Sequence, residues 1–190
     1  MEQQNDWPVR LVNLFANVNP HAMEKEFYPA YNVLLNQVFT FNEGFVVAPV
    51  TEPVESRMSI DFTVGYEYVI EENNQPVLFL EIKPAYTITS KANRKSADHQ
   101  MRERFIQLFE RCPIDTLYGI SAFGTRICIY HVTRENGIIQ PIAIEDHVNI
   151  MIDSAPLDRW NIDILNVQGR MQLNGIFNLV KQMCANLPQQ

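Results

Sequence analysis

Apolar and polar residues alternate along two short stretches in the first half of the chain. In Ser59 to Val64, Ile60, Phe62 and Val64 alternate with Ser59, Asp61 and Thr63, the two-residue period of a half-buried strand. Turn chemistry at Asn73-Asn74-Gln75-Pro76 breaks the pattern. Val77 to Lys83 is then a second run of strand-forming residues, closed by Pro84. Alternation assigns Val77, Phe79, Glu81 and Lys83 to one face and Leu78, Leu80 and Ile82 to the other. The pattern predicts strands over Phe45–Val50, Met58–Ile70 and Val77–Lys83.

Helical spacing takes over on either side. Phe27, Tyr31, Leu34, Leu35 and Val38 predict an amphipathic helix over about 21–40, started by Asn19-Pro20 and kinked at Pro29. A short packing helix is expected within Val9–Val18. Residues 84–95 read as a polar loop. Met101, Phe105, Leu108 and Phe109 then predict a helix over about 96–111, ended by Cys112-Pro113. Thr116–Ser121 and Arg126–Val132 read as two further strands, joined by Ala122-Phe123-Gly124-Thr125. Residues 133–158 look irregular, with Trp160 returning the chain to the core. A last helix is expected from Val167 to Ala185, weakened by Gly169 and Gly175.

The chemistry concentrates where the two strand-like stretches meet. Glu81 and Lys83 share a face at the end of an otherwise apolar strand, where charges are costly unless paired or holding a metal. If the strands pair antiparallel, Asp61 comes opposite that end. Two carboxylates and an ammonium at the rim of a buried sheet suit Mg²⁺ or Mn²⁺, which take hard oxygen ligands, water and substrate phosphate. A surface salt bridge at a strand end is the alternative.

Composition narrows the classes. The 190 residues are expected to form one domain, 46% of them hydrophobic with eleven Phe, which fits a packed globule and excludes bulk disorder. No stretch has the apolar length of a membrane span, and the N-terminus lacks the basic and apolar regions of a signal peptide. Three cysteines without Cys-x-x-Cys spacing point to a reduced intracellular setting, nucleus or cytoplasm. The four histidines form no zinc-type pair. A net charge of −7 argues against a general nucleic-acid binder. Against that, Lys91, Arg94, Lys95, Arg102, Arg104 and Arg111 cluster just after the Glu81-Ile82-Lys83 strand.

Asp61, twenty positions before Glu81-Ile82-Lys83, resembles the signature of the PD-(D/E)xK nuclease superfamily, with Ile60 where proline is usual. The expected order of helix, three strands, helix and strand is that of the superfamily's restriction-endonuclease-like core. This is an α/β fold with a central mixed β-sheet flanked by helices. The core would cover about 21–132, with 133–190 as a C-terminal extension. Glu-x-Glu-Phe-Tyr-Pro-Ala-Tyr-Asn from Glu24, Leu117 to Arg126 and Ala155 to Trp160 are similar to segments of uncharacterised fungal proteins.

The resemblance implies a metal-dependent nuclease for DNA, or RNA as the second choice. Asp61, Glu81, the Ile82 carbonyl and Glu24 would serve the metal, and Lys83 the attacking water or the phosphate charge. Gln100 would position substrate or water, and Lys91, Arg94 and Lys95 would hold the nucleic-acid backbone. The rival expectation is an inactive nuclease-like scaffold that binds nucleic acid or protein. Oligomeric state is open, a homodimer included.

Overall fold

The computed structural model describes residues 7–50, 67–145 and 152–188. Its centre is a six-stranded mixed sheet of β1 (Phe45–Val50), β2 (Glu67–Glu72), β3 (Gln75–Lys83), β4 (Thr116–Phe123), β5 (Arg126–Thr133) and β6 (Ile162–Asp163), lying in sequence order. All neighbours are antiparallel except β3 and β4, which run parallel with Glu81 beside Ser121 and Lys83 beside Phe123. A parallel pair needs a crossover, and α3 (Lys91–Leu108) provides it.

The turn between β2 and β3 follows directly from Asn73-Asn74. Both residues take the left-handed backbone, φ 52° and 63°, which asparagine tolerates and a tight hairpin requires. Register then sets Glu67 opposite Glu81. The expected pairing of Asp61 with this strand end, and the Met58–Tyr66 part of the predicted second strand, lie outside the described residues.

Both faces of β3 are covered, so Val77 to Leu80 are all buried. Helix α3 packs on the Phe79 side, where Phe79 meets Phe105 edge-on at 4.8 Å between ring centroids. A second helical layer consists of α1 (Val9–Ala16), α2 (Tyr28–Val38) and α4 (Val167–Ala185). Phe15 on Tyr31, Phe39 on Phe177 and the Trp7–Asn174 hydrogen bond tie it together. Trp160 seals the sheet from the C-terminal side: its ring packs on Phe123 and its indole N–H donates to Ser121 Oγ at 3.2 Å.

Several boundaries differ from the sequence expectation, each for a physical reason. No helix starts at Asn19-Pro20, because the Asn19 side chain accepts from the His21 amide and closes a local turn. The helix begins at Tyr28, so Pro29 falls in its first turn, where its missing N–H costs nothing and produces no kink. The expected loop 84–95 instead contains a 3₁₀ turn at Ala85–Thr89 and the first turns of α3, capped by Ser90 Oγ accepting from the Asn93 amide. The expected 96–111 helix therefore begins five residues earlier, at Lys91, and finishes as a 3₁₀ turn at Phe109–Arg111. The early part of α3 escaped the apolar pattern because Arg94, Ala97 and Asp98 occupy its buried positions.

Gly169 does not weaken α4. A Cβ there would lie 2.0 Å from the Asp163 carbonyl oxygen, so glycine lets the helix start pack against β6.

Candidate functional site

The end of β3 carries the chemistry. Lys83 Nζ lies 2.7 Å from Glu81 Oε1, with the two side chains 8% and 12% exposed. Two charges this buried at the end of a central strand are expensive to desolvate, and each is tolerated because of the other. The same spacing that puts them on one face in sequence brings them into contact in space.

Glu24 joins them from the second layer. It opens a 3₁₀ turn, Glu24–Glu26, just ahead of α2, and is buried. The Tyr28 hydroxyl donates to Glu24 Oε1 at 3.2 Å, while Oε2 is buried with no hydrogen-bond partner among the described residues. Burial pushes the Glu24 carboxyl above its ordinary value; the nearby Lys83 ammonium and the Tyr28 hydrogen bond oppose that shift, and Glu81 reinforces it. The Lys83 ammonium thus pairs with Glu81 and acts on Glu24 through its charge alone. An unpartnered, desolvated carboxylate oxygen can hold a proton or accept a hard cation, and an all-oxygen donor set of this kind fits Mg²⁺ or Mn²⁺. Among the described residues no group of three or more His, Cys, Asp or Glu is arranged to hold a metal, and Asp61 lies outside them.

The strand end is held from three sides. The Gly124 amide donates to the Lys83 carbonyl at 3.1 Å, and the Gly124 carbonyl accepts from the Tyr31 hydroxyl at 2.7 Å. Gly124 has φ +62°, and a Cβ there would meet Ala85 Cβ at 2.6 Å and Phe27 at 2.9 Å. The β4–β5 turn, α2 and the Lys83 backbone therefore meet at one glycine. Sequence reasoning found the turn but not this role; Tyr28 and Tyr31, read only as members of the helix, fasten Glu24 and the turn.

The other expected site residues divide. Ile82 is fully buried beside Ala122 in the parallel ladder. Gln100 stands midway along α3 with its Oε1 buried and without a hydrogen-bond partner among the described residues. Lys91 and Lys95 are exposed on the first turns of α3. Arg94 is not available to a nucleic-acid backbone. Its guanidinium donates to the Ala155 carbonyl at 2.7 Å, to the Ile88 carbonyl at 2.8 Å and to Asp153 at 2.5 Å, and the residue is buried. The reason is its place on the inward face of α3, which the expected loop concealed.

A second polar centre lies further along the same helix. Asp98 accepts from Arg102 through both oxygens, from Arg159 at 2.6 Å and from the Tyr130 hydroxyl at 2.9 Å. The two arginines also reach the Pro141 and Ile142 carbonyls, so this centre straps the irregular segment to α3.

No protein family, curated protein or solved structure matches the chain. What the residues define is an α/β domain with a buried Glu–Glu–Lys cluster at the end of a central strand.

Proposed function

We propose that the protein is a metal-dependent phosphodiesterase of the restriction-endonuclease-like kind, acting on DNA in preference to RNA inside the cell. The observation that carries this reading is the burial of Glu24, with an oxygen that has no partner among the described residues, within electrostatic range of the Lys83–Glu81 pair. A second buried carboxylate near an ion pair is costly unless a cation or a proton completes the set.

Glu24 and Glu81, with Asp61 and the Ile82 carbonyl, would hold Mg²⁺ or Mn²⁺. Such an ion, when bound, neutralises phosphate charge and makes a coordinated water more acidic. Lys83 donates from its ammonium to the attacking water or to a phosphate oxygen, stabilising the charge that builds there. Gln100 offers an amide that can orient substrate or water. Lys91 and Lys95 supply sequence-independent phosphate contacts from the outer face of α3.

One observation favours a binding scaffold without turnover. Arg94, Arg102 and Arg159 are spent on internal contacts, which leaves an acidic protein with little basic surface. Thermal denaturation with Mg²⁺ or Mn²⁺ against EDTA tests the metal site. The ions should raise the melting temperature of the wild type, because they bind only the folded state, and should not raise that of Asp61→Ala or Glu81→Ala. An equal response in all three proteins removes the site.

A further inference from the structure

The backbone that turns Glu24 inward presents its other side to an open groove. Met23 and Glu26 line this groove with Arg10, Asn13 and Asn17 of the α1 region and with His21, and its volume is about 1000 Å³. That is at the upper end of the range for small-ligand sites, about 300–1,000 Å³. Tyr86 stands beside two of the lining residues, Met23 and His21. It stands three residues beyond Lys83, is 44% exposed, places its hydroxyl 3.8 Å from Met23 Sδ and its ring 6.4 Å from that of His21.

From this placement we infer that the groove holds an unpaired base next to the scissile phosphate, so that the substrate is single-stranded or splayed nucleic acid rather than continuous duplex. The inference rests on the phosphodiesterase reading and names the substrate for it. Its first support is the lining. Arg10 and Glu26 oppose one another in charge, so the groove is no anion trough, and a duplex backbone finds no row of cations in it. Asn13 and Asn17 bring amides that pair with base edges, while His21 and Met23 in the lining, with Tyr86 beside them, bring flat or polarisable surfaces on which a base stacks.

The second support is the charge of the whole molecule. A net −7, with three arginines turned inward, leaves little electrostatic attraction for a polyanion. Base stacking on aromatic side chains adds affinity without requiring a basic surface. Unpaired bases are open to such contacts, and bases inside a duplex are not.

The test is fluorescence anisotropy of a labelled oligodeoxynucleotide, single-stranded or annealed to its complement, in EDTA at low salt so that nothing is cleaved. The wild type should bind the single strand at least tenfold more tightly than the duplex. Tyr86→Ala should weaken single-strand binding about tenfold, and Tyr86→Phe should retain it, since the ring and not the hydroxyl does the stacking. Tyr86 is half exposed, so neither change opens the core. Equal binding by wild type and Tyr86→Ala, tighter binding of duplex, or no binding of either form overturns the inference. Cleavage in Mg²⁺, scored separately, reports on the phosphodiesterase reading. Single-strand binding that needs Tyr86 but is never followed by cleavage keeps the groove and removes the nuclease. Cleavage indifferent to Tyr86 does the opposite.

Discussion

The Tyr31 hydroxyl donates to the Gly124 carbonyl at 2.7 Å, and the amide of that same glycine donates to the Lys83 carbonyl at 3.1 Å. A residue in the first turn of α2 thereby fixes the backbone that presents the candidate catalytic lysine. Tyr31→Phe removes the donor and leaves a buried carbonyl unsatisfied, a loss of about 1–3 kcal/mol. Gly124→Ala should cost more. Left-handed backbone costs a non-glycine residue about 1–2 kcal/mol before the contact with Ala85 is counted. Urea denaturation of both variants checks the order, and a milder Gly124→Ala would contradict the account of this turn.

Arg94 and the exposed lysines of α3 should separate cleanly. Arg94→Ala leaves Asp153 and two carbonyls without their partner and should lower stability by about 3–5 kcal/mol, the usual loss when one member of a buried pair is removed. The double change Lys91→Ala and Lys95→Ala should lower stability by no more than about 1 kcal/mol, the most an exposed charged side chain usually contributes, and weaken nucleic-acid binding for all sequences alike. Denaturant melts and salt-dependent binding on the same preparations decide. A fully stable Arg94→Ala protein would return that residue to the surface.

Most of the fold is legible in the sequence. Alternation in Val77–Lys83, the Asn73-Asn74 turn and the apolar spacing of Val167–Ala185 each correspond to an observed element. So does the proximity of Glu81 to Lys83, which needs only a strand. The expectation failed where polar side chains fill core positions. Arg94 and Asp98 look solvated by composition, and only the fold shows that they bind backbone carbonyls and other charges. The approach of Glu24 to Lys83 is long-range, and no local spacing encodes it. Glu24 entered by resemblance, and the structure shows its burial and its electrostatic coupling to Lys83. The Asp61 contribution rests on the strand pattern and the resemblance to a nuclease signature.

Glu24 gives the site a pH signature. Its folded-state pKa lies above the ordinary value of 4.5, so the folded protein holds this proton more tightly than the unfolded chain. The resulting stability is fully present below that ordinary value and is lost as pH rises through the raised one. Without metal, the wild type should therefore lose stability across that window, and Glu24→Gln should lose less and be the more stable protein at pH 7. Melting curves from pH 4 to 8 in EDTA measure this. Identical slopes for the two proteins would contradict the buried, unpartnered carboxylate.

The most direct test of the central claim is cleavage of a phosphodiester substrate by the wild type and by Lys83→Ala in Mg²⁺, with melting temperatures recorded on the same samples. Lys83 is buried against Glu81, so its truncation leaves that carboxylate without its counter-charge and should lower stability by about 3–5 kcal/mol. The variant should remain folded and keep its response to metal, while cleavage falls by about two to four orders of magnitude, as expected when a positioned proton-transfer or charge-stabilising group is lost. Cleavage at the wild-type rate, or a wild type that cleaves nothing while Lys83→Ala changes only the melting temperature, would make the Lys83–Glu81 pair a structural salt bridge and contradict the catalytic account.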